Sequence, residues 1–240
     1  MFGGNANNRR NMITDLTPIS TRGSVATPPF LPQGITVGSP AQGLQLPGVS
    51  GSIGARLSST GISLGSDIAR VSNSTAASIF TSDLPSSLGN SIKNLGNNFT
   101  TFGSGIDALG QGLSAITGPV QSISNAAGTI AGTFGAIDST LSALGLGTPF
   151  SGVQNKLNNV SGQLAVVSQL RGVPGHLSTI GSTMSSASGV FDQLSRQIEG
   201  IPGATAKVRE GFSKMSSVFS RQGDNLSTAS SDLASEVEQQ

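Results

Sequence analysis

The chain has 240 residues, of which Gly 33, Ser 39 and Pro 11 together make 83, while charged residues are only 10% and Trp, Tyr and Cys are absent. That composition lies far from an ordinary enzyme domain, and without cysteine there is no disulfide framework, thiolate nucleophile or Cys-based zinc site. The formal net charge of +1 leaves no global field to recruit nucleic acid.

The first residues, MFGGNANNRRNMITDL, lack the apolar run that follows the charged region of a secretory signal, so none is expected. Residues 1–60 read as an extended, irregular arm. Six of the eleven prolines lie there, starting at Pro18. Proline fixes φ and biases the residue before it toward extended backbone. Two readings stand side by side: a disordered tail, or an arm that orders along neighbouring subunits. Phe30, Leu31, Ile35 and Leu44 are the apolar anchors the second reading uses. Residues 61–84 then read as a short helix or linker.

A heptad block covers 85–147. Steps of four and three pass through Leu88, Ile92, Leu95, Phe99, Phe102, Ile106, Leu109, Leu113, Ile116, Val120, Ile123, Ala127, Ile130, Phe134, Ile137, Leu141 and Leu144, all apolar. A seam sustained at this spacing is the signature of a coiled coil or helical bundle. Residues 148–175 read as a short connecting helix. A second heptad block, 176–240, runs through Leu177, Ile180, Met184, Ala187, Phe191, Leu194, Ile198, Ile201, Thr205, Val208, Phe212, Met215, Phe219, Gln222, Leu226, Ala229 and Leu233. Thr205 and Gln222 are its polar positions, and they either fix register or are simply tolerated.

The expected fold is therefore all-α: long amphipathic helices broken at prolines, behind an irregular N-terminal arm. Pro119, Pro149, Pro174 and Pro202 divide the helical part. A compact up-and-down bundle of about five helices fits. So does a long rod kinked at Pro119 and Pro202 and folded back near 145–176, and seams that stay in phase across both prolines lean toward the rod.

The flanks of the seam are Gly, Ser, Asn and Thr rather than charge. Glycine inside a helix costs about 1 kcal/mol relative to Ala, so a lone hairpin of this composition is weak. Self-association, or enclosure in a larger assembly, is the economical expectation, with the seam residues as the oligomerisation surface. Gly128 and Gly132 form a GxxxG expected to allow close helix contact, in a soluble assembly or at a membrane. Residues 23–55 and 108–137 carry no charge, whereas twelve of the 25 charges fall between Asp192 and Glu238 and read as a solvated face.

Chemistry is sparse. His176 is the only histidine and has no nearby carboxylate or thiol with which to form a dyad. No phosphate-binding loop, paired carboxylates or aromatic platform is present. No catalytic, cofactor or metal site is expected, and no small-molecule substrate. The expected partners are copies of the chain and other assembly subunits; a membrane is a further candidate, and specific nucleic-acid binding is not expected. No run of 18 apolar residues provides a conventional membrane span.

A Pro-rich, apolar-dotted arm followed by charge-poor Gly/Ser/Ala helices resembles phage virion components: tail, tape-measure-like or ejection proteins. The resemblance is one of general character over the whole chain. It implies a protein packed inside or at the tip of a tail, in several copies, threaded by its arm onto other subunits. The alternatives are a membrane-active ejection or pore-forming protein, and an adaptor that supplies helices to a partner complex.

Overall fold

The computed structural model of the chain describes residues 51–112 and 115–239. They form six helices: α1 (Gly51–Phe80), α2 (Ser86–Gln111), α3 (Thr117–Ala143), α4 (Ser151–Leu164), α5 (Val173–Gln197) and α6 (Ala206–Glu238). Two 3-10 turns, Leu170–Gly172 and Ile198–Gly200, flank α5. Among the described residues there is no strand.

Each helix packs against the one before it in the chain, and α6 returns to pack against α1. Neighbours run antiparallel: Ser188 meets Ser216 across α5 and α6, and Asn98 meets Thr133 across α2 and α3. The arrangement is a bundle, which corrects the lean toward a kinked rod. Proline placement supplies the reason. Pro119 stands in the first turn of α3 and Pro174 in the first turn of α5, where backbone N–H groups have no helical partner to lose. Pro202 lies between the second 3-10 turn and α6. The first heptad block is thus two helices folded side by side, and so is the second.

The start of the helical region also differs from expectation. α1 begins at Gly51, inside the stretch read as arm, and runs for 30 residues rather than forming a short helix or linker. Leu57, Leu64, Ile68, Val71 and Ile79 are buried on one face, with Gly54, Gly61 and Gly65 completing it. Glycine at those contact positions dilutes the apolar signal without weakening the packing.

The seam side chains are interior to a single chain. Leu88, Ile92, Leu95, Phe99, Phe102, Ile106, Leu109, Ile123, Ile130, Phe134, Ile137 and Leu141 are each at most 1% exposed. The same holds for Leu177, Ile180, Phe191, Leu194, Ile198, Val208, Phe212, Phe219, Leu226 and Leu233. Ile116 is half-buried at the N-cap of α3. The cover expected from other subunits is supplied by the chain's own helices. Leu113 and the arm anchors Phe30, Leu31, Ile35 and Leu44 lie outside the described residues.

Phenylalanines fill the centre. Phe99 of α2 meets Phe219 of α6 edge to face at 5.2 Å, Phe134 of α3 stacks on Phe150 at 4.7 Å, and Phe191 of α5 lies 5.0 Å from Phe219. Each such pair adds about 0.5–1.5 kcal/mol beyond its buried area.

Glycine is a packing residue here more than an outer filler. Gly89, Gly96, Gly103 and Gly110 recur every seventh position along α2, and a Cβ on any of them would press into α1 or Phe80. For Gly110 the Cβ would stand 2.6 Å from the backbone nitrogen of Ser58. Of Gly128 and Gly132, expected to be the tight pair, only Gly128 lies against another helix. A Cβ on Gly128 would meet only Ser161, at 3.1 Å, and one on Gly132 would meet nothing. Gly132 faces outward, while α3 buries the neighbouring Ile130, Ala131, Thr133 and Phe134.

Candidate assembly surface

The outer faces of the bundle divide by charge. On the α5–α6 side, Lys207, Arg209, Glu210, Lys214, Arg221 and Asp224 are exposed. Glu210 pairs with Lys214 at 2.6 Å and Arg209 with Glu199 at 3.0 Å. The ammonium group of Lys214 holds the Glu210 carboxyl below its ordinary range. Such pairs are solvated and add little to stability.

The α2–α3 side is different. Between residues 94 and 137 the only charged residue is Asp107. It accepts hydrogen bonds from Ser58 of α1 and, at 2.7 Å, from Gln111. Beyond Lys93, exposed positions across both helices include Asn97, Thr100, Thr101, Ser104, Ala108, Gln121, Asn125, Thr129, Gly132 and Ala136.

A groove of about 480 Å³ runs between the two helices, lined by Thr100, Thr101, Ser104, Ala108, Pro119 and Ser122 among others. It continues into a second hollow of about 280 Å³ beside Asn98, Asn125 and Thr129.

Four hydroxyls on this face are already engaged. Thr100 donates to Gly96, Thr101 to Asn97, Ser104 to Thr100 and Thr129 to Asn125, each to the carbonyl one turn back. Asn98 donates to Thr133 at 2.7 Å. A hydroxyl bonded to its own helix has little donor demand left for water, so removing this face from water costs less than its composition implies.

Polar groups inside the bundle serve its own geometry. Asp138 of α3 is 2% exposed. Its carboxylate accepts from the Phe150 backbone N–H at 2.9 Å and from Gln154 Nε2 at 2.7 Å, tying the turn into α4. Burial pushes this carboxyl up from its ordinary value, and the two hydrogen bonds pull against that shift. The turn itself needs glycine: Gly145 and Gly147 have φ of 82° and 71°.

Gln222, one of the two polar seam positions, is fully buried and donates to Asp67 at 2.8 Å and Ser63 at 3.1 Å across α1 and α6. Thr205 is the N-cap of α6, accepting from Val208 N. His176 sits half-buried in the first turn of α5. Among the described residues no group of three or more metal-binding side chains occurs, and no helix is long and apolar enough to cross a membrane.

The heptad spacing in the sequence carries the interior but not this surface. The legible signal for the surface is the charge gap at 108–137, once it is known that α2 and α3 lie side by side. In comparisons with protein-family models, curated proteins and solved structures, none matched this chain.

Proposed function

We propose that this chain is a non-enzymatic structural assembly protein that associates with copies of itself or with other subunits. The observation that carries the reading is the charge-poor α2–α3 face, with its groove and pre-bonded hydroxyls. A solvated helix face normally carries Glu and Lys, as the α6 side of this bundle does. A charge-poor face with satisfied donors is suited to enclosure by a neighbour.

The helical hairpins are read as coiled-coil-like in their seam packing. The resemblance of arm and helices to phage tail, tape-measure-like and ejection proteins makes a virion the proposed setting.

The test is sedimentation of the purified chain over a concentration series, beside a Thr101→Lys, Asn125→Glu double variant. The expected result is association that weakens about tenfold with charges on the face, the size of a 1.4 kcal/mol loss. A parent chain that neither self-associates nor binds another subunit of its native complex would overturn the reading. Dye release from lipid vesicles by the purified chain would favour the membrane-active alternative instead.

A further inference from the structure

The most extensive helix contacts join helices that follow one another in the chain; α1 with α6 is the exception, since no loop connects them. It carries two ion pairs between α-helices. Gln222 is buried against Asp67 and Ser63, and Arg221 reaches Asp67 at 2.6 Å. Nearer the start of α1, Arg56 pairs with Asp232 beside a hollow of about 370 Å³ between the two helices.

The α5–α6 hairpin, by contrast, is locked within itself, backbone against backbone at Gly181 and Gly223. Its inner face meets Phe99 of α2 and Phe134 of α3, and on its other side it meets α4, the shortest helix at 14 residues. The segment 165–169 leads from α4 toward α5, and Val166 within it is 81% exposed.

From these features we infer that the bundle opens along the α1–α6 line and that the α5–α6 hairpin exchanges as a unit with a second copy of this chain. Exchange re-forms every contact of the closed bundle between chains, including Phe99 with Phe219, so only the connecting segment changes conformation. This inference goes beyond association through the α2–α3 face and does not depend on it.

Two charge-reversed chains test it. Asp67→Arg places two cations together at the α1–α6 contact, and Arg221→Asp places two anions there. In an exchanged mixed dimer both contacts become attractive: Arg at 67 of one chain meets Asp at 221 of the other, and the native Asp67 meets the native Arg221. The two variants are unfolded, mixed and refolded together, and mass is read by light scattering with isotope labels to count chains.

The expected result is a mixed dimer that survives dilution and exceeds either same-variant dimer about fivefold, a ratio in keeping with two repaired, partly exposed ion pairs. The unmodified chain, refolded at high and at low concentration, is the companion measurement. It is expected to yield a dimer fraction that rises with refolding concentration and persists on dilution. Failure of the unmodified chain to form such a dimer would overturn the inference, and so would dimers with no preference for the mixed pair. Association through the α2–α3 face is separable, because it reverses on dilution and is indifferent to residues 67 and 221.

Discussion

Gly181 of α5 and Gly223 of α6 lie backbone against backbone: a Cβ on the first would stand 2.7 Å from the carbonyl oxygen of the second, and the reverse distance is 2.6 Å. A methyl group at either position must push the hairpin apart. Alanine there gains up to ~1 kcal/mol of helix propensity but loses about 1–3 kcal/mol to overpacking. Gly181→Ala and Gly223→Ala are therefore expected to destabilise the bundle. Gly132→Ala has nothing within 4 Å of its added carbon, meets only the propensity gain, and is expected to stabilise by ~0.5–1 kcal/mol. Urea unfolding of the three variants checks the opposite signs.

Ser72 supplies a different kind of prediction. Its hydroxyl is fully buried where α1 meets Gly96 of α2, and it has no hydrogen-bond partner. An unsatisfied buried polar group costs about 1–3 kcal/mol. Ser72→Ala removes that cost and keeps the small volume that the Gly96 contact requires. The variant is expected to raise stability by ~1 kcal/mol, readable as a shift in the denaturant midpoint with an unchanged slope. Ser72→Val is expected to lower it, because Gly96 leaves no room.

Asp138 ties stability to pH. Burial raises its carboxyl above the ordinary value of 3.8 in the folded chain. A raised folded value means that the folded state holds the proton more tightly than the unfolded state. Its stabilising contribution is therefore fully present below the ordinary carboxyl range and is lost as pH rises through the folded value. Asp138→Asn carries no such titration. Its amide can still accept from the Phe150 N–H, and Gln154 can turn to present its carbonyl. The stability of the variant relative to the parent is expected to be lowest in acid and to rise with pH. Unfolding curves for both proteins from pH 3 upward check the sign.

Much of the interior was legible from residue spacing. Large side chains from Leu88 to Leu141 and from Leu177 to Leu233 recur at helical spacing because each must face one core, and the structure buries them accordingly. α1 was harder to read. Its contact face uses Gly54, Gly61 and Gly65 among the apolar residues, and glycine signals a turn as readily as a close approach. The GxxxG at Gly128 and Gly132 misled for the same reason in reverse. Spacing says that two glycines share a face but not whether a neighbour stands against both, and only Gly128 has one, Ser161. The column Gly89, Gly96, Gly103 and Gly110 was the better signal, since it keeps a fixed position beside the seam.

What spacing could not give is pairing between elements distant in sequence. Asp67 with Arg221 and Asp107 with Ser58 join residues far apart in the chain, and the return of α6 to α1 leaves no local trace. The charge-poor surface has the same origin. Each helix contributes half of it, and the groove exists only once α2 and α3 lie together.

The most direct test of the assembly reading is photo-crosslinking in the complex where the chain resides. A photoreactive side chain is placed at Asn125, on the charge-poor α2–α3 face, or at Lys214, on the charged face of α6; both positions are exposed. The account predicts a discrete crosslink to a neighbouring polypeptide from position 125 and little or none from 214. Crosslinks from 214 with none from 125 would contradict it.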